Sequence, residues 1–305
     1  MELKKIKIGL NNEEFVEDKT NLQELDERRK KEESEGKFKG GEHCFRIANN
    51  WYRLNLGYTN PINYSKVHAE LLLMEGLSNK DKNEFVNLIK DKELVFYGVG
   101  VGDTEIVPIN WLLKNNYPKI FVTGIDVNKE FLENFVIAMN NINFEYPNSE
   151  IYYRSYHSLF EQINEGDLLS DFSKVHFCLG NTVGNFDNQR KLFEMFFNLS
   201  NEGDLLVLGI QLNKNLETLF KKYKNNSLFQ KFVLNYVPES GINKLEWKLD
   251  KNKSLISADY KGVEVFRAKK YNEDGLKIEV EKEGFKLIKK FVDESKNFCI
   301  QIYKK

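Results

Sequence analysis

Apolar and polar positions in this chain follow two alternating rhythms. Glu93-Leu-Val-Phe-Tyr97, Lys119-Ile-Phe-Val-Thr-Gly-Ile-Asp126, Val175-His-Phe-Cys-Leu179 and Asp204-Leu-Leu-Val-Leu-Gly-Ile-Gln211 are short, nearly continuous apolar runs. Strands covered on both faces read this way. Ile151-Tyr-Tyr-Arg154 predicts a further short strand. Between these runs the apolar residues recur at helical spacing: Val107-Pro-Ile-Asn-Trp-Leu-Leu-Lys114, residues 129–139 with Phe131, Leu132, Phe135, Val136 and Met139 on one face, the stretch around 159–163, and 190–199. Two helical segments, Glu70-Leu-Leu-Leu-Met74 and Glu84-Phe-Val-Asn-Leu-Ile-Lys90, precede the first strand. Strands alternating with helices predict an α/β fold, a mostly parallel seven-stranded sheet with helices on both faces.

After Gln211 the rhythm changes. Residues 213–226 and 228–237 read as helices, and 244–271 alternate with period two, as antiparallel strands do. The last segments, Glu283-Gly-Phe-Lys-Leu-Ile-Lys-Lys-Phe-Val292 and Asn297-Phe-Cys-Ile-Gln-Ile-Tyr303, predict a final strand pair. The expected organisation is therefore a helical cap portion at 1–90, a core at 91–212, a cap insertion at 213–271, and strands completing the core sheet at 272–305.

Composition narrows the function by exclusion. The chain has 305 residues, with 45 basic and 46 acidic side chains. That balance lacks the footprint of a dedicated nucleic-acid binder. The charged stretch Asp26-Glu-Arg-Arg-Lys-Lys-Glu-Glu33 reads as a solvated helix face. No apolar window approaches ~18 residues, so no membrane span is expected. The opening Met1-Glu-Leu-Lys-Lys5 lacks a signal-peptide core, and Cys44, Cys178 and Cys299 are scattered. Both point to reduced thiols in the cytoplasm. His43, His68, His157 and His176 show no metal-ligand spacing, so no metal is expected.

Two loops carry the chemistry. Tyr97-Gly-Val-Gly-Val-Gly-Asp103 follows one strand and opens a helix. Gly98, Gly100 and Gly102 let backbone approach a ligand closely. The dinucleotide fingerprint G-x-G-x-x-G is not met, because Asp103 stands where its third glycine belongs. A carboxylate there opposes a pyrophosphate and tolerates the cationic amine of S-adenosylmethionine (SAM). Asp126 closes the next strand, 24 residues after Gly102, where a carboxylate can accept both ribose hydroxyls; an exposed turn aspartate is the alternative. Ser155 and Tyr156 fall at the expected adenine position. The second loop, Leu179-Gly-Asn-Thr-Val-Gly-Asn-Phe186, follows the Val175 strand, with Gly180, Asn181 and Thr182 expected along SAM.

This octapeptide resembles the signature of the histidine-specific Nα-methyltransferase family of the ergothioneine pathway. The similarity continues through Gly203-Asp-Leu-Leu-Val-Leu-Gly209, Leu219-Phe-Lys-Lys-Tyr223 and Phe232-Val-Leu-Asn235, and extends weakly to Asn63-Tyr-Ser-Lys-Val-His-Ala-Glu70. The resemblance implies a Rossmann-type SAM methyltransferase core with a cap that grips an amino acid. By motif, Asn185 and Tyr223 would hold the acceptor's carboxylate and amine region, with Tyr64 in the same pocket. Tyr223 or a nearby carboxylate could take the amine proton, but no dedicated general base is expected, since an α-amine titrating near ~7.7–8 needs little help to lose it. The family's imidazole readers are an acidic residue and a serine just before Lys-Phe or Lys-Tyr. Here Lys270-Tyr271 follows Phe266-Arg-Ala268, and apolar Phe266 and Ala268 stand in their place. The expected reaction is N-methylation of an amino acid or similar small amine, with histidine disfavoured. Methylation of a protein or RNA, or an idle SAM-binding protein, are the competing readings.

Overall fold

The computed structural model describes residues 16–18, 69–100, 102, 104–169, 171–186, 188–226, 229–230, 233, 245–260 and 262–305. In chain order the elements are β1 (Val16–Asp18), α1 (Ala69–Glu75), α2 (Asn79–Ile89), β2 (Glu93–Tyr97), α3 (Ile106–Lys114), β3 (Lys119–Asp126), α4 (Lys129–Glu145) and β4 (Glu150–His157). They continue with β5 (Lys174–Cys178), α5 (Gln189–Leu199), β6 (Leu205–Gln211), α6 (Leu216–Asn225), β7 (Leu245–Asp250), β8 (Leu255–Tyr260), β9 (Val263–Lys269), α7 (Glu273–Glu281), β10 (Lys286–Val292) and β11 (Phe298–Lys304).

The main sheet runs β1-β4-β3-β2-β5-β6-β11-β10. Strands β1 to β6 pair in parallel, and β11 and β10 are antiparallel. The expected seven strands are present, and the short β1 adds an eighth at the edge. Little in the local pattern marks β1, a three-residue strand that pairs on one side only. Helix α7 also went unforeseen, although Asn272 caps it and Leu276 and Val280 form a buried i,i+4 pair; Gly275 in its first turn masks the pattern.

The apolar runs divide their side chains between the two faces. Leu94 and Phe96 of β2, Val175 and Phe177 of β5, and Leu205 and Val207 of β6 join one core cluster. Val95 and Tyr97, Cys178, and Leu206, Leu208 and Ile210 join the other. Period-two alternation thus persists inside runs that look uniformly apolar. His176 lies in this interior, its Nδ1 3.1 Å from Tyr97 Oη, and burial lowers its pKa to about 3. It is a neutral core histidine. The buried thiols Cys178 and Cys299 are unbridged.

From β6 the chain leaves to form α6 and a separate three-stranded antiparallel sheet, β7-β8-β9. Around it Tyr223, Phe229, Phe266, Ala268 and Ile256 build a third apolar cluster. The insertion returns to its point of exit. Leu212 and Tyr271 form a parallel bridge, Tyr271 N–H donates to the Gln211 carbonyl at 3.3 Å, and Asn213 N–H donates to the Tyr271 carbonyl at 2.9 Å. No helix among the described residues is long and apolar enough to cross a membrane.

Candidate functional site

The chain moves outward from β2 through β3 to β4 and then crosses back to β5, so the topology reverses between β2 and β5. Open parallel sheets bind ligands in the crevice at the carboxyl ends of such strands. The glycine loop follows β2 and the octapeptide follows β5. They meet there: a Cβ on Gly98 would come within 3.4 Å of Thr182 Oγ1, Thr182 Cγ2 and Phe160 Cζ. Gly98 (φ 76°), Gly100 (φ 53°), Gly102 (φ 84°) and Gly180 (φ 67°) all adopt the left-handed conformation, which costs glycine little and other residues about 1–2 kcal/mol. Around Gly102 no atom of the described residues would lie within 4 Å of a Cβ. Asp103 lies outside the described residues.

Asp126 occupies the carboxyl end of β3 and is buried, not an exposed turn residue. Its Oδ2 accepts the Gly100 N–H at 3.1 Å, and its Oδ1 accepts the Asn128 N–H at 2.9 Å. The carboxylate thereby ties the glycine loop to the strand end. Burial raises its pKa to about 6 against these backbone donors.

The octapeptide is held by its own polar groups. Asn181 is left-handed (φ 61°), its N–H donates to the Gly209 carbonyl at 3.0 Å, and its Oδ1 accepts the Gln211 N–H at 2.9 Å. Residues Thr182–Asn185 form a 3₁₀ turn that packs against β9. A Cβ on Gly184 would overlap the Lys269 carbonyl oxygen, so this glycine admits the insertion's backbone. One end of the loop therefore faces the glycine loop, and the other faces the insertion.

Several expected site residues need correction. Ser155 and Tyr156 lie inside β4, paired with Gly124 and Ile125 and buried, because β4 runs three residues further than its apolar run suggested. Tyr156 Oη donates to the Asp167 carbonyl at 2.8 Å, so the ring does not present itself at the edge. His157 and Ser158 reach the edge instead, with Ser158 N–H donating to the Asp126 carbonyl at 3.0 Å. Asn181 directs its side chain at β6, which makes it a staple of the wall. Tyr223 is fully buried, its ring stacked on Phe229 at 4.5 Å and edge-on to Phe266 at 5.7 Å. Lys270 Nζ donates to its hydroxyl at 3.3 Å. Burial pushes the phenol above its ordinary range, so Tyr223 keeps its proton and is no general base. Phe266 and Ala268 belong to the insertion's own apolar core. Tyr64 lies outside the described residues.

Buried polar atoms without a hydrogen-bond partner among the described residues gather at this loop: Asn181 Nδ2, Asn185 Oδ1, Gln211 Oε1 and Glu70 Oε1. Each such atom costs about 1–3 kcal/mol unless a partner reaches it. Glu70 and Phe160 were missed by sequence reasoning. Glu70 stands four residues before buried Met74, an acid on the apolar face of α1; that spacing was its signal. Phe160 stacks on Phe186 at 5.5 Å beside Gly98, and nothing local distinguishes it from a core residue.

An expected outcome follows for Asn185. Asn185 Oδ1 has no hydrogen-bond partner among the described residues, so Asn185→Ala should change stability to thermal unfolding by less than ~0.5 kcal/mol. Acceptor KM should rise about tenfold, the loss of one hydrogen bond of about 1.4 kcal/mol. A large loss of stability with unchanged KM would place Asn185 in the fold, not the site.

The family described as histidine-specific, SAM-dependent methyltransferases matches residues 59–261. No curated protein matches the sequence significantly. Among solved structures, a magnesium protoporphyrin IX methyltransferase from Synechocystis PCC 6803 with bound SAH superposes with a TM-score of 0.52 at 13% identity, covering 87% of this chain and 97% of that one. A SAM-dependent methyltransferase from Clostridium acetobutylicum ATCC 824 gives 0.44 at 11%, covering 78% and 96%. A possible histamine N-methyltransferase from Thermotoga maritima gives 0.43 at 12%, covering 87% and 99%. The first of these likenesses shows the fold.

Proposed function

Since this chain belongs to the histidine-specific, SAM-dependent methyltransferase family, we propose that it methylates the amine of an amino acid or similar small molecule in the cytoplasm, and that histidine is not the acceptor. The observation that carries this reading is the octapeptide as a shared wall. Thr182 stands toward Gly98, while Gly184 presses on the Lys269 carbonyl of β9 in the insertion.

The residues at the strand edges suit the cofactor. Gly98, Gly100, Gly102 and Gly180 form a cradle that side chains would fill or strain, and the buried Asp126 carboxylate supplies an acceptor for a nucleoside's ribose. When bound, SAM supplies an electrophilic methyl group on a sulfonium. The protein's task is then to hold a neutral amine in line, close to the methyl, and to exclude water. Residues 1–90 and 213–271, read as one cap, would provide that exclusion. Asn185 and the hydroxyl of Tyr223 would orient the acceptor's polar head. The phenol acts as a hydrogen-bonding group, because burial keeps it protonated. An α-amine titrates near ~7.7–8 and needs little help to lose its proton.

Histidine is disfavoured by the residues around Tyr223. On the family resemblance, Phe266 and Ala268 stand where an acidic residue and a serine would read the imidazole, and neither side chain can donate or accept a hydrogen bond. Two unmet imidazole hydrogen bonds would cost about 1–3 kcal/mol each. The test is a SAM-turnover screen with mass detection over free amino acids and simple amines, histidine included. Methylation of an apolar or aromatic amino acid at a kcat/KM at least tenfold above histidine is expected. SAM binding without turnover on any member, or histidine as the best acceptor, would overturn the reading.

A further inference from the structure

Methyl transfer changes the charge of its donor. SAM carries a sulfonium that becomes a neutral thioether in S-adenosylhomocysteine, so an enzyme gains by telling the two apart. Glu70 is placed to do this. It lies in the first turn of α1 and is 0% exposed, and its Oε2 accepts the Gly180 N–H of the octapeptide at 2.8 Å. Its Oε1 has no partner among the described residues and lies so close to Gly209 that a Cβ there would overlap it. Gly209 and Gly180 thus shape a slot for a carboxyl group directly behind the loop.

No cation among the described residues pairs with this carboxyl. The ionisable groups on the surrounding elements are Cys178 on β5, with His176 two residues before it and Lys174 at the opposite end of that strand, Cys299, Tyr303 and Lys304 on β11, and Lys114 on α3 with Glu105 just before it. Burial raises the pKa of Cys178, Cys299 and Tyr303, so these stay neutral. Lys304 is exposed at the far end of its strand. Burial likewise raises Glu70 to about 8, only partly offset by the Gly180 N–H. The ligand-free protein at neutral pH therefore holds Glu70 mainly as the neutral acid.

We propose that Glu70 is the residue by which the site favours the cationic donor over its neutral product, changing from carboxylic acid to carboxylate as SAM enters. The inference rests on the octapeptide being the cofactor wall. A buried charge acts over several ångströms in a low-dielectric interior, so Glu70 needs no contact with the sulfonium. The proton balance closes. SAM binding releases one proton from Glu70 to solvent; methyl transfer moves the positive charge from sulfur to the methylated amine, and once that amine has passed its proton to solvent or left as the ammonium, Glu70 takes a proton back from solvent. Asp126 titrates lower, at about 6, which leaves the window from pH 7 to 8.5 to Glu70.

The test is calorimetric titration with SAM and with S-adenosylhomocysteine, in buffers of different ionisation enthalpy, for the wild type and Glu70→Gln. The amide keeps an acceptor for Gly180 and cannot ionise. For the wild type at pH 7, SAM should release up to one more proton than its product. The SAM-to-product affinity ratio should rise by up to tenfold per pH unit below about 8. In Glu70→Gln that part of the difference should vanish, leaving only what the ligands' own amines contribute. A wild-type measurement covers a variant that fails to fold: adding SAM should erase an infrared carbonyl band of a protonated carboxylic acid, and adding the product should not. Equal proton release for both ligands, a difference retained in Glu70→Gln, or an unchanged infrared band overturns the proposal. None of these outcomes bears on the amino-acid acceptor, which the turnover screen decides separately.

Discussion

Asp126→Ala is expected to weaken SAM binding by at least about 100-fold. On the proposed reading, the carboxylate accepts hydrogen bonds from a ribose, and bonds to a charged acceptor contribute about 1.5–3 kcal/mol each. Two of them correspond to about 3–6 kcal/mol, or more than two decades in affinity. The substitution also leaves the N–H groups of Gly100 and Asn128 without their acceptor, so the glycine loop loses its tie to β3. Asp126→Asn keeps the shape and one acceptor oxygen, and should lie between the two. The pH dependence has a defined sign. Because folding raises the pKa of Asp126 from the ordinary carboxylate range to about 6, the ligand-free protein draws stability from this group at low pH and loses it as pH rises through about 6. SAM affinity should run the opposite way, falling more steeply below pH 6 as the acceptor becomes protonated, and losing that added steepness in Asp126→Asn. Thermal unfolding checks the first trend, and titration calorimetry with SAM checks the second. Asp126→Ala binding SAM within fivefold of wild type would remove Asp126 from the cofactor site.

Gly184→Ala is expected to cost about 3 kcal/mol of stability, at the upper end for overpacking, and to depress turnover as well. The added methyl would overlap the Lys269 carbonyl oxygen and sit 2.6 Å from Asn181 Nδ2. Neither neighbour can yield cheaply. Lys269 ends β9, and Asn181 is held by the Gly209 carbonyl and the Gln211 N–H. For a chain of this size the loss corresponds to a melting temperature lower by about 5–10 °C. Separation of the loop from β9 would shift Asn185, so kcat/KM should fall at temperatures where the variant is still folded. Gly262→Ala is the comparison. That glycine also resists substitution, through φ of 80°, but a Cβ there meets nothing within 4 Å among the described residues. It should cost about 1–2 kcal/mol and leave kinetics unchanged. Equal effects of the two substitutions would show that Gly184 serves only backbone conformation.

Much of the fold was legible in the chain because its strands are buried on both faces. Such strands must be apolar throughout, and the runs at β2, β3, β5 and β6 announce themselves without knowledge of their neighbours. Elements with weaker local signals escaped. β1 is three residues long, β4 extends into polar Ser155 and His157, and the glycine in the first turn of α7 hides its cap. The loops were legible for a related reason. Glycines at Gly98, Gly100, Gly102 and Gly180 are required by left-handed backbone, a local property that residue type reveals.

The roles of individual side chains were less legible. Tyr223 reads as a reactive tyrosine by motif, yet its stack on Phe229 and its place among apolar neighbours raise its pKa and leave it a donor. Ser155 and Tyr156 read as ligand contacts only while β4 is taken to end at Arg154. Glu70 reads as one acid on a helix among many.

The sequence by itself determined the α/β architecture, the two glycine-bearing loops, the carboxylate at the end of β3 and the family to which they belong, because each depends on residue type and short-range spacing. Only the tertiary structure decided that the octapeptide joins both halves of the site, and that Glu70 lies behind it with one oxygen unpaired among the described residues. It alone buried Phe266 and Ala268 in the core around Tyr223. The reason is physical: burial, desolvation and the pairing of polar atoms depend on segments distant in the chain, Glu70 against Gly180 and Gly209, or Gly184 against Lys269, and no local pattern encodes who those neighbours will be.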